Sequence, residues 1–405
     1  MFQAMVNLLE DVKVLDLTHV HAGPLCTYQL ALMGAQVVKV EAPESGDQMR
    51  GVSTETNPGM APAFLGQNAN KRSLAIDMKS NSGLQIVKKL IARADVLVTN
   101  MRPGTTDRLG VGYHEAKEMN PSIIYCAISG YGQNGPESDR AAMDHLIQGE
   151  SGMISATGTP EQPARVGFAI ADSGTAVISS SAICAALVRK GRTGEGAYLD
   201  VSMLESCITL MGINYYNFFA TGRIGPRVGS NPLAQIGSAG TWPCAEGTLL
   251  VNANNQRLFE RLASAVDRKD LLEDPRFKDI AASAPFRDDL REILGSVFIT
   301  ETASHWDNLL KEAGVPSGQL KTMDQVINHS QLAYRKTLAK IHDVPGSDSD
   351  SLTFVGAGFL VDNDPAIPTE PPPLLGQHTR AILEEIGIDP HDISTLANEG
   401  VIKCT

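Results

Sequence analysis

Asp172 is a single carboxylate between two apolar stretches of the sequence. The apolar pattern over 166–170 before it is typical of a strand, and the mostly apolar run 176–188 after it is long enough for several helical turns. An aspartate at such a junction can be a helix N-cap, whose side-chain oxygen accepts a backbone N–H bond. It can also be a nucleophile at a helix N-terminus, where the small Ser173 and Gly174 leave room for a substrate. The local sequence by itself favours the cap.

Basic residues provide a second candidate, a site for phosphate. The apolar segment 94–100 predicts a buried strand, and Arg102 and Arg108 flank the Pro-Gly turn that follows it. Because ligands of open α/β sheets bind at the carboxyl ends of strands, these two arginines are candidate phosphate ligands. The chain has 34 Lys and Arg against 46 Asp and Glu, a net charge of −12. This balance argues against a broad surface for nucleic acid or anionic lipid and fits one localised polyanion such as a nucleotide.

The elements that must position these side chains begin with a predicted βαβ unit. Segment 12–18 predicts a buried strand, Pro24 suits the start of a helix that continues over 25–33, and 36–41 predicts a second strand. Such a unit is typical of an α/β fold with a parallel, doubly wound sheet. The first turn contains only Gly23, so the glycine-rich fingerprint of dinucleotide-binding proteins is missing.

Length and composition indicate two domains. The 405 residues exceed one ordinary hydrophobic core. Gly, Pro, Asn and Ser dominate residues 221–242, as in a linker or an active-site loop. We therefore predict a large domain formed by residues 1–205 and 345–405, a linker over 206–245, and a small domain over 246–344.

The cysteines and the apolar segments indicate the compartment. Six cysteines are scattered without a CxxC pair, which predicts free thiols in a reducing environment. The first ten residues lack the charged and apolar regions of a signal peptide, and the run 176–188 is short for a membrane span. No third residue joins His19 and His21 at metal-ligand spacing, so we expect no metal site. We expect a cytoplasmic protein that binds neither membranes nor nucleic acid.

Eleven short motifs follow one another along nearly the whole chain. They are LDLTHVHAGP at 15–24, GAQVVKVE at 34–41 with GD at 46–47, NKRS at 70–73 with DMK at 77–79, NMRPG at 100–104, DRLG at 107–110, SGYG at 129–132, ADSG at 171–174, GEG at 194–196, DVSM at 200–203, GVP at 314–316 and PLLGQHT at 373–379. Each motif alone is weakly specific. The ordered series resembles the family III CoA-transferases, the CaiB–BaiF family that includes formyl-CoA transferase.

The resemblance implies an enzyme that moves CoA from an acyl-CoA thioester to a carboxylic acid, with acyl-CoA as substrate and no tightly bound cofactor. It implies an α/β fold with a Rossmann-like parallel sheet in the large domain, a smaller α+β domain, and a homodimer whose subunits are interlocked like links of a chain. The active site would lie between the large domain of one subunit and the small domain of the other.

Motif positions carry the family's site residues onto this chain. Asp172 matches the catalytic carboxylate of the family. The residues that the resemblance places against CoA are His19, Val20, His21, Ala22, Ile76, Lys79, Asn100, Met101, Arg102 and Arg108, with Tyr131 and Met203 beside the thioester end.

A carboxylate suits this chemistry. With the ordinary aspartate pKa of about 3.9, Asp172 would be ionised at neutral pH and would need no general base. Its attack on the donor thioester gives an aspartyl–acyl anhydride and CoA thiolate. The thiolate then forms an aspartyl–CoA thioester, which the acceptor acid attacks in turn. Backbone N–H groups near Gly174, or those of the loop 237–240, are candidate donors to the oxyanions that form at each step.

The sequence departs from formyl-CoA transferase at three places, and the missing glycine run, which members acting on larger acyl-CoAs also lack, favours a different pair of acids. His21 occupies the place of a glutamine, and Ser129 occupies the place of a lysine. The run of consecutive glycines is missing, with Gly237-Ser-Ala-Gly240 as its candidate replacement.

Two alternative functions remain beside CoA transfer. In acyl-CoA racemases of the same fold, a histidine immediately precedes the aspartate of the segment that matches Met143-Asp144. Because this chain has Met143 there, transfer is favoured over racemisation. The second alternative is a non-catalytic CoA-binding protein, against which the retained Asp172 argues. Asp144 and Glu150 could form an acid–base pair, but we interpret them as residues of a solvated helix face.

Overall fold

The computed structural model describes residues 6–52, 60–233 and 236–405, which form two compact units. We call them the large unit and the small unit. The large unit comprises the chain up to Met153, Val166–Tyr216 and Ser330–Thr405, and the small unit comprises Ile154–Arg165 and Asn217–His329.

The boundaries of the two units differ from the predicted domain boundaries. Residues 206–216, predicted as part of a linker, belong to the large unit, where the helix Met203–Leu210 packs against the helix Ile170–Thr193. Residues 330–344, predicted in the small domain, also belong to the large unit, because strand Leu338–His342 pairs with strand Ser351–Val355. Residues 154–165, in contrast, belong to the small unit.

The strands and helices of the described residues are numbered here in chain order. The strands are β1 Lys13–Leu17, β2 Gln36–Glu41, β3 Lys71–Ile76, β4 Val96–Thr99, β5 Ile124–Ser129, β6 Ala197–Ser202, β7 Ala239–Pro243, β8 Thr248–Asn252, β9 Ser317–Gln319, β10 Leu338–His342, β11 Ser351–Val355, β12 Leu360–Val361, β13 Asp364–Pro365 and β14 Ile402–Lys403. The α-helices are α1 Ala22–Leu32, α2 Pro62–Leu65, α3 Asn81–Ile91, α4 Thr105–Arg108, α5 Tyr113–Met119, α6 Asp144–Glu150, α7 Met153–Ala156, α8 Ile170–Thr193, α9 Met203–Leu210, α10 Gly212–Thr221, α11 Gln256–Ala265, α12 Asp270–Glu273, α13 Arg287–Phe298, α14 Ala303–Glu312, α15 Met323–Val326, α16 Ser330–Arg335, α17 Thr379–Glu385 and α18 Pro390–Asn398. Short 3₁₀ helices cover Gln48–Gly51, Ile280–Ala282 and Ala284–Phe286.

The large unit is built on a mostly parallel sheet. In the described residues this sheet has seven strands in the order β14-β3-β2-β1-β4-β5-β6. Strands β1 to β6 pair in parallel, and β14 pairs antiparallel with β3. The strand order changes direction between β1 and β4. The predicted βαβ unit is confirmed as β1, α1 and β2, and so is the α/β fold with a large parallel sheet.

Strand β1 shows how helices cover both faces of the sheet. Val14 belongs to the same core cluster as Cys26 and Leu30 of α1. The next residue, Leu15, belongs to a different cluster, together with Ile86 of α3. Because successive side chains of a strand point to opposite faces, this alternation places α1 on one side of the sheet and α3 on the other.

The small unit has a three-stranded antiparallel sheet, in the order β7-β8-β9, covered by helices. Its core contains aromatic rings in edge-to-face contact. The ring centroids of Trp242 and Phe298 lie 5.3 Å apart, and those of Phe298 and Trp306 lie 5.6 Å apart, both edge to face. The indole nitrogen of Trp306 donates a hydrogen bond of 2.9 Å to the carbonyl of Phe298.

The segment before Asp172 is not a strand, which corrects the prediction over 166–170. Helix α8 begins at Ile170, and Phe168 is 58% exposed. The N–H group of Val166 donates to the side-chain oxygen Oε1 of Gln148 at 2.9 Å, so a side chain takes the place of a neighbouring strand.

Helix α8 has the length and apolar composition of a helix that could cross a membrane. Core helices of other proteins meet the same two criteria. Ala176, Ile183 and Ala186 of α8 are buried in the core cluster that also contains Val14 and Cys26. Length and composition are therefore weak grounds for placing α8 in a membrane.

Candidate active site

Asp172 lies in the first turn of α8, and a different carboxylate caps that helix. The N-cap residue is Ala169, whose side chain makes no capping bond. Asp144, the first residue of α6, accepts hydrogen bonds at Oδ2 from the N–H groups of Ala171 at 2.8 Å and of Asp172 at 3.2 Å. The N-cap interpretation of Asp172 is therefore wrong. The interpretation of Asp144 as a solvated helix residue is also wrong, because Asp144 is half-buried and caps α8.

The carboxyl group of Asp172 is largely buried without a counter-charge. Burial and, after it, the negative charge of Asp144 raise the pKa of Asp172 to about 7. Within the described parts of the chain, no basic side chain forms an ion pair with Asp172. The expectation of an ordinary aspartate pKa is corrected: protonated and ionised forms are both populated near neutral pH, and the ionised form increases as the pH rises through about 7.

The small residues that follow Asp172 serve packing and helix geometry. A Cβ atom on Gly174 would overlap the Cδ1 atom of Leu210, so α9 fills the space beside this glycine. The N–H group of Ser173 donates to the carbonyl of Ala169 at 2.9 Å. The space at Gly174 is therefore occupied by protein, and the backbone N–H groups at this turn already have acceptors.

Three side chains form a hydrogen-bonded chain that ends on the first turn of α8. The Nε2 atom of Gln67 lies 2.8 Å from Nδ1 of His21, and Nε2 of His21 lies 3.1 Å from Oγ of Ser173. The Nε2 atom of Gln67 also donates to the carbonyl of Ala63 at 3.0 Å. Burial lowers the pKa of His21, although the charge of Asp144 acts in the opposite direction. The imidazole is therefore neutral at pH 7.

The loops after β1 and β4 are joined to each other. The side chain of Asn100 accepts the N–H bond of His19 at 2.9 Å and donates to the carbonyl of His19 at 2.7 Å. Val20 has a φ of 71°, a left-handed conformation that is strained for a β-branched residue, and its N–H donates to Oδ1 of Asp47 at 3.2 Å. Ala22 then begins α1 with its side chain buried. The structure thus brings the predicted residues of these two loops together and holds one of them in a strained conformation, as is found at functional sites.

The predicted basic ligands follow the carboxyl ends of the strands. Lys79 follows β3, Arg102 follows β4, and Arg108 ends α4, all with exposed side chains. Met101, next to Arg102, packs partly buried against the core. Ile76 ends β3 opposite Ile402 of β14, with its side chain buried in the core, so that side chain is not available to a ligand.

Tyr131 and Met203 lie in one apolar cluster with Ala171, the residue before Asp172. The hydroxyl oxygen of Tyr131 is buried, and it has no hydrogen-bond partner within the described ranges. The guanidinium of Arg140 lies 5.2 Å from the centroid of the Tyr131 ring. A buried hydroxyl without a partner beside α8 is a polar group available to a ligand.

Sequence reasoning missed a group of buried charges beneath the same loops, which we call the buried ion network. Charged residues within the apolar strands β1 and β2 were the available signal. Burial by itself raises the pKa of Asp16, but the charges of Lys71 and Lys39 outweigh it, and the pKa falls well below its usual range. The network joins Lys71 Nζ to Asp16 Oδ2 at 3.1 Å, Lys39 Nζ to Asp47 Oδ2 at 2.9 Å, and Arg50 Nε to Glu41 Oε1 at 2.7 Å.

Metal ligation was considered as a further chemistry for this site. Over the residues that the structure describes, no group of three or more His, Cys, Asp or Glu side chains is placed to hold a metal ion.

Comparison with known proteins decides the family. The model of a family described as CoA-transferase family III matches residues 9–379. The chain belongs to CoA-transferase family III. It is 34% identical to an acyl-CoA transferase of Fusarium pseudograminearum, over 97% of this chain and 88% of that protein. It is 33% identical to the succinyl-CoA:glutarate CoA-transferase of Mus musculus, over 98% of this chain and 90% of that protein.

A solved structure supports the same family from the fold. A CaiB/BaiF family protein from Brucella suis superimposes with a TM-score of 0.83 at 30% identity, over 94% of this chain and 99% of that chain. The resemblance inferred from the ordered motifs is therefore confirmed. So is the enzyme class, a CoA-transferase that uses CoA thioesters as substrates.

Proposed function

We propose that this CoA-transferase moves CoA from an acyl-CoA donor to a carboxylic acid through covalent intermediates on Asp172. One observation carries the proposal: Asp172 is a largely buried carboxylate with a raised pKa, and the described residues provide no cation to compensate it. A carboxylate kept for stability is normally paired, whereas perturbed and uncompensated groups are typical of functional sites.

The proposed reaction is a double exchange at one carboxylate. An ionised oxygen of Asp172 attacks the donor thioester carbon, and the C–S bond breaks to give an aspartyl–acyl anhydride and CoA thiolate. The thiolate attacks the aspartyl carbonyl, which releases the donor acid and leaves an aspartyl–CoA thioester. The acceptor carboxylate attacks this thioester, and the C–S bond breaks to give an aspartyl–acceptor anhydride and CoA thiolate. The thiolate then attacks the acceptor's carbonyl, and the C–O bond to Asp172 breaks, which forms acceptor-CoA and regenerates the Asp172 carboxylate. Water must be excluded throughout, because it would hydrolyse either intermediate.

The proposed CoA site lies at the carboxyl ends of the parallel strands, where strand order changes direction between β1 and β4. The loop from His19 to Ala22 and the side chain of Asn100 would contact CoA there, in a Rossmann-like arrangement. Lys79, Arg102 and Arg108 would bind its phosphates, since all three are exposed cations on the loops that follow the strands or on the short α4. In this proposal CoA is a substrate, and no tightly bound cofactor takes part.

The mouse relative suggests the class of acids. It is named for succinyl-CoA and glutarate, and the similarity covers 98% of this chain and 90% of the mouse protein. We therefore propose succinyl-CoA as the donor and a short dicarboxylic acid such as glutarate as the acceptor.

The proposed assembly is an interlocked homodimer in the cytoplasm. Leu210 at the end of α9 and Ile213 on α10 are exposed, with 79% of Ile213 accessible. Exposed apolar side chains at neighbouring positions are typical of a surface that a partner covers. Sedimentation equilibrium should give the mass of a dimer; a monomer that retains full activity would contradict this part of the proposal.

The decisive experiment traps the intermediate. We expect enzyme incubated with succinyl-CoA and hydroxylamine to carry a hydroxamate on Asp172, detected by peptide mass spectrometry. Asp172→Ala should lower CoA exchange by roughly three orders of magnitude or more while thermal unfolding stays cooperative. Asp348→Ala, in an exposed loop, is the matched control and should keep the activity.

Two results would contradict the proposal. One is CoA transfer at an undiminished rate by folded Asp172→Ala protein. The other is deuterium incorporation at the α-carbon of an acyl-CoA without transfer of CoA, which would identify a racemase instead.

A further inference from the structure

We propose that Gln67 is a positioning residue: through His21 it orients the hydroxyl of Ser173 so that this hydroxyl donates a hydrogen bond to the oxygen atoms that react at Asp172. The inference rests on the proposed function, since it assigns a donor to the oxyanions of that reaction. It follows from the hydrogen-bonding capacity of each group along the chain from Gln67 to Ser173.

The orientation of the Gln67 amide is fixed by a backbone carbonyl. The terminal atom that faces the carbonyl of Ala63 at 3.0 Å must be the nitrogen, because a carbonyl oxygen can only accept a hydrogen bond. Gln67 is 5% exposed, so this amide is held inside the protein. The same nitrogen lies 2.8 Å from Nδ1 of His21, to which its second N–H therefore donates.

The tautomer of His21 follows from the amide. Because Nδ1 accepts a hydrogen bond from Gln67, it carries no proton, and a neutral imidazole must carry its proton on Nε2. The Nε2 atom lies 3.1 Å from Oγ of Ser173, so His21 donates and the serine oxygen accepts.

The hydroxyl proton of Ser173 is therefore directed away from His21. The serine follows Asp172 in the first turn of α8, where the N–H groups of Ala171 and Asp172 are bonded to Asp144. The N–H group of Ser173 is bonded as well, to the carbonyl of Ala169. Since these backbone groups are engaged, the side-chain hydroxyl takes the donor role for which the sequence offered the backbone near Gly174 or the loop 237–240. No proton crosses the chain, so the role of Gln67 and His21 is orientation.

Kinetics of Gln67 variants test the inference. Gln67→Glu replaces the donor with an acceptor. At a pH above the raised pKa that His21 has beside this carboxylate, the proton of the neutral imidazole moves to Nδ1, and Nε2 is unable to donate. We expect kcat to fall about 10- to 100-fold, less than the loss of a whole oxyanion donor, with the KM for acyl-CoA within about twofold of wild type. Ser173→Ala should lower kcat at least as much. The double variant should be no slower than Ser173→Ala within about twofold, because both changes act on one hydrogen bond.

Two further variants control for folding and for charge. Gln67→Met keeps the length of the side chain without the amide and should lower kcat in the same direction; it replaces Gln67→Glu if that variant does not fold. Gln36→Glu, on the exposed first residue of β2, is the matched control and should leave kcat unchanged.

The tautomer of His21 gives a readout that a purely structural role would not move. Nitrogen-15 labelling of the nine histidines, with the His21 signal identified by its loss in His21→Gln, should show Nε2 protonated in the wild type and Nδ1 protonated in Gln67→Glu. A wild-type proton on Nδ1, or an unchanged kcat in both Gln67 variants, would overturn the inference. With Asp172→Ala inactive, those results would leave the proposed function standing, whereas an active Asp172→Ala would remove the proposed function itself.

Discussion

Asp16, which is fully buried, and Asp172, which is partly buried, are two carboxylates of the large unit in opposite electrostatic surroundings. Asp16, on β1, is fully buried, faces the ammonium of Lys71 at 3.1 Å, and has a pKa held well below its usual range. Asp172, on α8, faces a second carboxylate instead of a cation, and its pKa is raised to about 7. A cation inside the fold balances the charge of Asp16, and no cation of the described residues balances that of Asp172.

The difference separates positioning from chemistry. The buried ion network holds the loop after β1, since Lys39 donates to the carbonyl of Thr18 at 2.8 Å and Asp47 accepts the N–H bond of Val20. Its positive and negative side chains form ion pairs with one another, so they are not available to react. Asp172 keeps an uncompensated carboxylate at a cost in stability, which is typical of a residue retained for reactivity.

The largest expected effect on stability comes from breaking the compensated pair. Lys71→Met removes the ammonium that pairs with the buried Asp16 and leaves it only the more distant charge of Lys39, which should lower the free energy of unfolding by about 3–5 kcal/mol. Urea unfolding at pH 7, followed by near-ultraviolet circular dichroism, measures this loss.

A surface ion pair provides the matched control. Arg72 follows Lys71 in β3 and forms an exposed ion pair with Glu385. Arg72→Met breaks this pair and should lower the free energy of unfolding by at most about 1 kcal/mol. Equal losses in Lys71→Met and Arg72→Met would mean that burial of Asp16 does not make its compensation essential, and the comparison with Asp172 would fail.

Removing the uncompensated charge of Asp172 should have a smaller effect of opposite sign: it should raise the free energy of unfolding. Folding raises the pKa of Asp172 from 3.8 to about 7, so its contribution to stability is complete below pH 3.8 and is lost as the pH rises through about 7. Asp172→Asn removes the charge, so the variant does not lose this stability as the pH rises. The variant should therefore be more stable than wild type at pH 8, by roughly 2 kcal/mol after allowance for partial exposure, and nearly equal to it at pH 4.

Asp16→Asn is the counterpart for this test, because it should be less stable than wild type at pH 8. Melting temperatures of both variants at pH 4 and pH 8 decide the matter. Destabilisation of Asp172→Asn at pH 8 would show that its carboxylate is compensated after all, and the contrast with Asp16 would fail.

The sequence predicted the elements whose signals are local. The βαβ unit was found because β1 and β2 are apolar strands and α1 follows a short turn. The strand over 166–170 was wrong because the partner of Val166 is the side chain of Gln148, which no apolar pattern reveals. A repeated apolar pattern reports burial, and it does not report which group accepts a hydrogen bond.

The candidate site was predictable in its nucleophile but not in its surroundings. Asp172 could be assigned from the resemblance, whereas its raised pKa depends on burial in the fold and, after it, on the charge of Asp144, 28 positions earlier in the chain. The contact of His21 with Ser173 spans 152 positions, and that with Gln67 spans 46. Such pairs are set by how α1, α6 and α8 pack on the sheet, and one sequence carries no record of that packing.

The smallest expected change separates the two causes that raise the pKa of Asp172. Asp144→Asn keeps an oxygen that can cap α8 but removes the neighbouring negative charge, so the pKa of Asp172 falls toward its ordinary value while burial, the larger cause, remains. Because only the ionised carboxylate attacks, the acidic limb of the pH profile of kcat/KM should move to lower pH, with faster turnover below pH 7.

The pH profile of this last variant needs one control, because Gln148 donates a hydrogen bond to Asp144 at 2.6 Å and would face an amide nitrogen after the substitution. Its thermal unfolding must therefore remain cooperative at every pH used. A midpoint that stays near pH 7 would assign the whole shift to burial, and the second carboxylate would then act on Asp172 only by capping its helix. A midpoint that moves upward would contradict the sign of the charge effect, and with it the contrast between a carboxylate that faces a cation and one that faces another carboxylate.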